Sequence, residues 1–156
     1  MLKQLQDRRK PAAVAESQQG NEIGGSGMIV YQTNLKGISP KLLSNFCVGW
    51  KNPLSGEKLK TVLKASYCFI LARDGTDGPV VGFVNSLSDG INFAFIPMLE
   101  VLPEYQSQGI GTTLLKMLFT ELKDIPCIDL TCDAEMQSYY ARFGMLKSWG
   151  MVFRKY

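Results

Sequence analysis

Residues 105–115, YQSQGIGTTLL, set two glycines, Gly109 and Gly111, between a polar turn and an apolar helical run. Glycine costs a helix interior about 1 kcal/mol relative to alanine, so a pair at a helix start asks for a reason. A helix N-terminus carries unpaired backbone N–H groups and the positive end of the macrodipole. Glycines just ahead of it let an anion approach the backbone closely. Three kinds of phosphate loop compete for such a pattern. A P-loop requires Gly-Lys-Ser/Thr, but Gly111 is followed by Thr112 and Thr113. A dinucleotide fingerprint requires a third glycine where this chain has Leu114. The third kind, Gln/Arg-x-x-Gly-x-Gly/Ala, is matched in full by Gln106, Ser107, Gln108, Gly109, Ile110 and Gly111. Taken alone, so short a pattern is better read as an ordinary strand-to-helix turn.

The inventory of acids and bases is narrow. The chain has no histidine, which removes Ser-His and Cys-His dyads and leaves Tyr, Cys, Lys, Asp and Glu. Of the four cysteines, Cys47, Cys68, Cys127 and Cys132, no two form a C-x-x-C. A zinc site is therefore not expected, and neither is any other metal. Three of the four lie in apolar surroundings, where a buried inert thiol is the ordinary reading. The net charge is +3, and the densest basic cluster, Asp7 to Lys10, is short and interrupted by Asp7. This predicts no nucleic-acid partner. No apolar run approaches the roughly 20 residues of a membrane span, and Arg8 and Arg9 lead into no apolar signal region. The expected location is the cytoplasm, with reduced thiols.

At 156 residues the chain suggests one folded domain. Residues 1–27 are polar, Gln-rich and end in a Gly/Ser hinge, so we read them as a flexible extension ahead of a domain spanning 28–156. Met28 opens a strand-like run. Ser39 with Pro40, and Ser55 ahead of Leu59, Val62 and Leu63, predict two short helices forming one covering layer. Tyr67 to Arg73, VVGFVNSL and Ile91 to Leu102 read as three strands joined by Asp-Gly turns. Pro97 cannot donate within the last of these and predicts a bulge or splay. A helix over 111–123 presents Leu114, Leu115, Leu118 and Leu122 to the core. A strand over 128–132, a helix ending at Gly144 and a final strand, GMVFRKY, complete the order. Hairpins first and crossovers later predict an α/β fold of the mixed α+β kind, a mixed sheet with helices on both faces.

The segment LEVLPEYQSQGIGTTLL, followed about thirty residues on by YYARFGM, resembles the GCN5-related N-acetyltransferase (GNAT) family. In that family a strand, a Val-x-Pro-type turn, a pyrophosphate loop and its helix run in this order. A later strand and helix end in an aromatic-Tyr-x-x-x-Gly-Phe-like segment, where this chain has Tyr139, Tyr140, Gly144 and Met145. Met145 stands where Phe is usual, and Gln108 where a base often precedes the glycine. The resemblance implies a central splayed sheet and acetyl-CoA as cosubstrate. Leu99, Glu100 and Val101 would pair with pantetheine, and Gln106 to Thr112 would hold the pyrophosphate. Asp133 stands near the cofactor arm, where a plain helix N-cap is the competing role. The resemblance implies transfer of acetyl to a primary amine, small-molecule or peptide, with Tyr140 as general acid and cofactor contact. Glu100 is the first candidate base, Asp129 the second, and solvent deprotonation of the amine the third. A non-catalytic CoA-binding module of the same fold is the alternative, and a homodimer stays open.

Overall fold

The computed structural model describes residues 27–47 and 49–154. The extension assigned to 1–27 thus lies, apart from Gly27, outside the described residues. Among the described residues five strands form one sheet in chain order: β1 Ile29–Gln32, β2 Cys68–Asp74, β3 Val80–Ser88, β4 Phe93–Val101 and β5 Cys127–Leu130. Neighbours β1 to β4 are antiparallel, whereas β5 runs parallel to β4. Three α-helices, α1 Gly56–Ala65, α2 Ile110–Glu121 and α3 Gln137–Ala141, are joined by 3₁₀ turns at Pro40–Leu43, Pro103–Tyr105 and Ala134–Met136.

Alternation along the strands sorts the core into two layers. Ile70, Ala72, Val81 and Val84 meet α2 on one face, where Leu114, Leu115, Leu118 and Leu122 are wholly buried. Leu71, Val80 and Phe83 face the other way, against Leu59 and Leu63 of α1 and Leu43 and Phe46 of the preceding turn. The Ser55 side chain accepts the Lys58 N–H at 3.4 Å and caps α1, with Glu57 in the first turn complementing the dipole. The helices therefore cover both faces of a mixed sheet.

Pro97 shapes the middle of the sheet. Asn85 of β3 faces Met98, but Leu87 faces Phe95, so β4 carries one extra residue beside Pro97. Pairing with β5 runs from Phe93↔Cys127 to Ile96↔Leu130 and stops there. From Pro97 to Val101, β4 is held by β3 alone, which is the expected splay.

Two expected elements differ. Residues 40–43 form a single 3₁₀ turn rather than an α-helix, because Ser39 makes no side-chain cap bond and no longer apolar face follows. The final strand is absent over the described residues through Arg154. Leu146, Trp149, Met151 and Phe153 are almost fully exposed there. Alternating apolar residues favour an extended chain, but a strand also needs an edge to pair with, and this segment docks on none.

Leu118 is wholly buried in the helix that carries the glycine loop. Leu118→Ala is expected to cost about 2–5 kcal/mol, read as a lowered urea midpoint with unchanged slope. An unchanged midpoint would mean that this face of α2 is not packed on the sheet.

Candidate active site

The end of β4 and the start of α2 form one continuous structure. The chain leaves β4 at Val101 and turns through Pro103–Tyr105, with the Leu102 N–H donating to Val81 O at 2.9 Å. The Tyr105 hydroxyl donates to Asp74 Oδ2 at 2.9 Å and ties the turn to β2. Gln106 Nε2 donates to Val101 O at 3.0 Å, so the first residue of the glycine motif clamps the loop onto the strand end. Gln108 folds back in the same manner onto Glu104 O at 3.1 Å.

The two glycines answer different demands. Gly109 is the N-cap of α2 with φ 81°, a left-handed conformation that side chains resist. A Cβ there would meet nothing within 4 Å, so the approach to its backbone is open. A Cβ on Gly111 would lie 3.1 Å from Tyr139 Oη and 3.7 Å from Val101 Cγ2. Gly111 is thus a packing position against α3. The first N–H with an intrahelical acceptor is that of Thr113, which donates to Gly109 O at 3.0 Å. The amides ahead of it, including Ile110, Gly111 and Thr112, have no partner within the helix. Neither a side-chain cap nor an acidic residue in the first turn offsets the dipole. The positive end of the α2 dipole is thus left uncompensated by the helix's own first turn.

Leu99 and Val101 point to the α2 face and share a cluster with Tyr139 and Tyr140. The two tyrosine rings meet edge to face at 5.1 Å, and Arg142 stacks 4.7 Å over Tyr139. Tyr140 also lines a cleft along β5 with Leu130, Cys132, Asp129, Phe93 and Phe95. Burial first, then the charges of Cys132 and Tyr139, pushes its phenol up to about 12. The hydroxyl stays protonated throughout the neutral range. Asp133 occupies the N-cap position of the Ala134–Met136 turn but makes no side-chain cap bond, and it is exposed.

The candidate bases do not meet. Asp129 lines the Tyr140 cleft, with Cys127 Sγ 3.9 Å from its Oδ1. The Glu100 carboxylate reaches the other face of the sheet and accepts the Cys47 N–H. Burial raises the Glu100 carboxyl against the lowering effect of that bond. Sequence reasoning missed the parts played by Tyr139 and Cys47. Tyr139 was visible as the first member of the Tyr-Tyr pair, whereas nothing in the local sequence marks Cys47. Among the described residues no group of three or more His, Cys, Asp or Glu side chains could hold a metal ion. No helix among them is long and apolar enough to cross a membrane.

Gly109→Val is expected to cost about 1–2 kcal/mol of stability, since a β-branched residue must adopt a left-handed φ. It should also weaken CoA binding at least tenfold by isothermal titration, because the side chain fills the open approach to the α2 amides. Unchanged affinity in a folded variant would place the phosphates elsewhere.

Comparison with known proteins agrees with this geometry. A model of the acetyltransferase (GNAT) family matches residues 40–145. An uncharacterized N-acetyltransferase, ycf52, from Porphyra purpurea is 31% identical over 125 residues, spanning 76% of this chain and 71% of its own. A provisionally assigned acetyltransferase from Deinococcus radiodurans R1 superposes with a TM-score of 0.78 at 42% identity, covering 81% of this chain and 88% of that one. A GNAT family acetyltransferase from Streptococcus pneumoniae TIGR4 gives a TM-score of 0.65 at 29% identity, covering 82% and 98%. The splayed fourth strand, the open helix start and these matches lead to one assignment: the chain belongs to the GNAT family of acetyl-CoA-dependent acyltransferases.

Proposed function

We propose that this enzyme moves the acetyl group of acetyl-CoA directly to a primary amine, with both substrates bound at once. The observation that carries the reading is the β4 edge freed beyond Ile96↔Leu130, leading through Gly109 into the uncapped start of α2. Pantetheine amides would pair with the free edge around Leu99, Glu100 and Val101, as an added strand does. The pyrophosphate would accept from amides between Ser107 and Thr112, with Gln106 and Gln108 shaping the loop and Asp133 near the cofactor arm.

In the transfer the amine nitrogen attacks the thioester carbonyl carbon, the C–N bond forms, and the C–S bond then breaks. The carbonyl oxygen needs a donor as charge develops on it. The departing thiolate takes a proton from Tyr140 or from solvent. A phenol near 12 gives up its proton reluctantly to a thiolate whose conjugate acid lies at about 8.5. Donation of a hydrogen bond to the sulfur while charge builds is therefore the larger part of the role. The attacking amine loses its own proton to solvent or to a carboxylate, Glu100 or Asp129. The acceptor class is a small-molecule or peptide amine, bounded by the cap over residues 39–66.

Acetyl-CoA at about 100 times its Kd should stabilise the fold by roughly 2.7 kcal/mol, on the order of 5–10 °C in Tm. NAD and ATP should do much less, and a larger shift with NAD would overturn the reading. Tyr140→Phe should lower kcat on the order of 10²-fold with acetyl-CoA affinity nearly intact, measured on an amine found by thiol release over a mixed panel. Because the phenol is held near 12, wild-type kcat should show no fall between about pH 8 and about pH 10.5 that Tyr140→Phe removes. A Tyr-dependent fall centred at about 10, the value of an ordinary phenol, would contradict the raised phenol and leave the acid role standing. Wild-type kcat in the variant would contradict the acid role.

A further inference from the structure

β4 lends its edge to the proposed cofactor site and sends one charged side chain the other way. Glu100 pairs in register with Phe83, whose ring belongs to the α1 face of the core. Its Oε1 and Oε2 lie 2.9 and 3.1 Å from the backbone nitrogen of Cys47, so a single N–H is shared between both oxygens. Cys47 sits 53 residues away, in the loop joining the Pro40–Leu43 turn to α1. It is wholly buried and holds a left-handed φ of 61°, a conformation that a side-chain-bearing residue resists. A strained, buried residue persists only when its surroundings fix it, and here three contacts do so. The Glu100 carboxylate takes its N–H, Trp50 N donates to its carbonyl at 3.3 Å, and the Leu54 backbone hydrogen-bonds its thiol. Phe46, the residue before it, stacks edge to face on Phe83 at 5.1 Å.

From this geometry we infer that Glu100 is a positioning residue: its carboxylate pins Cys47, and with it the acceptor side of the proposed site, to the strand proposed to hold the thioester, and it does not take the amine's proton. An ionised acceptor aimed at a buried N–H is among the stronger hydrogen bonds, and removing it would leave that N–H unpaired. The same residue would then join the two substrates, its backbone on the proposed cofactor strand and its side chain on Cys47. The kinetic part of the inference rests on the acetyl-transfer reading, and the structural part does not.

The test compares Glu100→Ala and Glu100→Gln with wild type in two assays. The first is alkylation of Cys47 by iodoacetamide on the free protein, followed on the Cys47 peptide by mass spectrometry. Glutamine keeps an acceptor oxygen of the same reach but not the charge that helps hold the Cys47 thiol up, so it sets the rate due to charge loss alone. Alanine should be alkylated at least tenfold faster than glutamine. The second assay is steady-state kinetics over a range of pH. Alanine should raise the amine KM at least tenfold while leaving the acetyl-CoA KM within twofold. Glutamine should recover most of that loss and keep the acidic limb of the wild-type profile. If Glu100→Gln instead loses kcat by 10²-fold or more, together with the acidic limb, while Cys47 stays protected, Glu100 is the base and the inference fails. A folded Glu100→Ala alkylated at Cys47 no faster than Glu100→Gln would also overturn it. Should the alanine variant not fold, Glu100→Asp, which shortens the reach, replaces it with the same expected outcomes. Absence of transfer to any amine by wild type would sink the acetyl-transfer reading and leave the alkylation result to decide the strut.

Discussion

Proline has no N–H to donate, and Pro97 withholds one from the ladder near the middle of β4. The sheet answers with an extra residue opposite β3 and an end to pairing with β5 at Ile96↔Leu130. An unpaired edge is ordinarily a liability in a sheet. Here it is short, and it runs straight into the Pro103–Tyr105 turn and the glycine loop. The direction in which β4 leaves the sheet fixes where the α2 amides point. The proposed thioester seat and the proposed anion site take their positions from that exit.

Strain is concentrated where the chain must turn sharply around this edge. Ser107 and Gly109 both hold left-handed backbone in the loop, as Cys47 does on the other face. Such conformations need support from neighbours. At the loop the support comes from the Gln106 clamp on Val101 and from a helix whose Leu114, Leu115, Leu118 and Leu122 are wholly buried. At Cys47 it comes from Glu100. The α2 face of the strand is therefore held by apolar burial, and the α1 face by apolar burial together with one charged hydrogen bond.

Features with a short-range physical cause were legible in the sequence. The leucine spacing of α2, the Ser55 cap and the Pro97 bulge each follow from one residue or one periodicity, and each stands where expected, whereas α3 ends at Ala141 with Arg142 as its C-cap and Gly144, at φ 81°, lies two residues beyond. Gly109 was legible as a backbone requirement. Gly111 was read the same way, yet its reason is the Tyr139 hydroxyl, brought to it by a helix almost thirty residues further on. The contact between Glu100 and Cys47 leaves no trace in local pattern, because a backbone N–H belongs to every residue type except proline. The expected strand after Gly144 failed for the converse reason: alternation describes a strand's faces and says nothing about its partner.

Backbone amide exchange followed by mass spectrometry, with and without CoA, tests most directly whether the freed β4 edge and the α2 start form one cofactor seat. The account predicts that CoA slows exchange in peptides covering 98–102 and 107–112 together, by at least tenfold, with little change over α1. Protection confined to other segments, or bound CoA with no protection at either stretch, would contradict it.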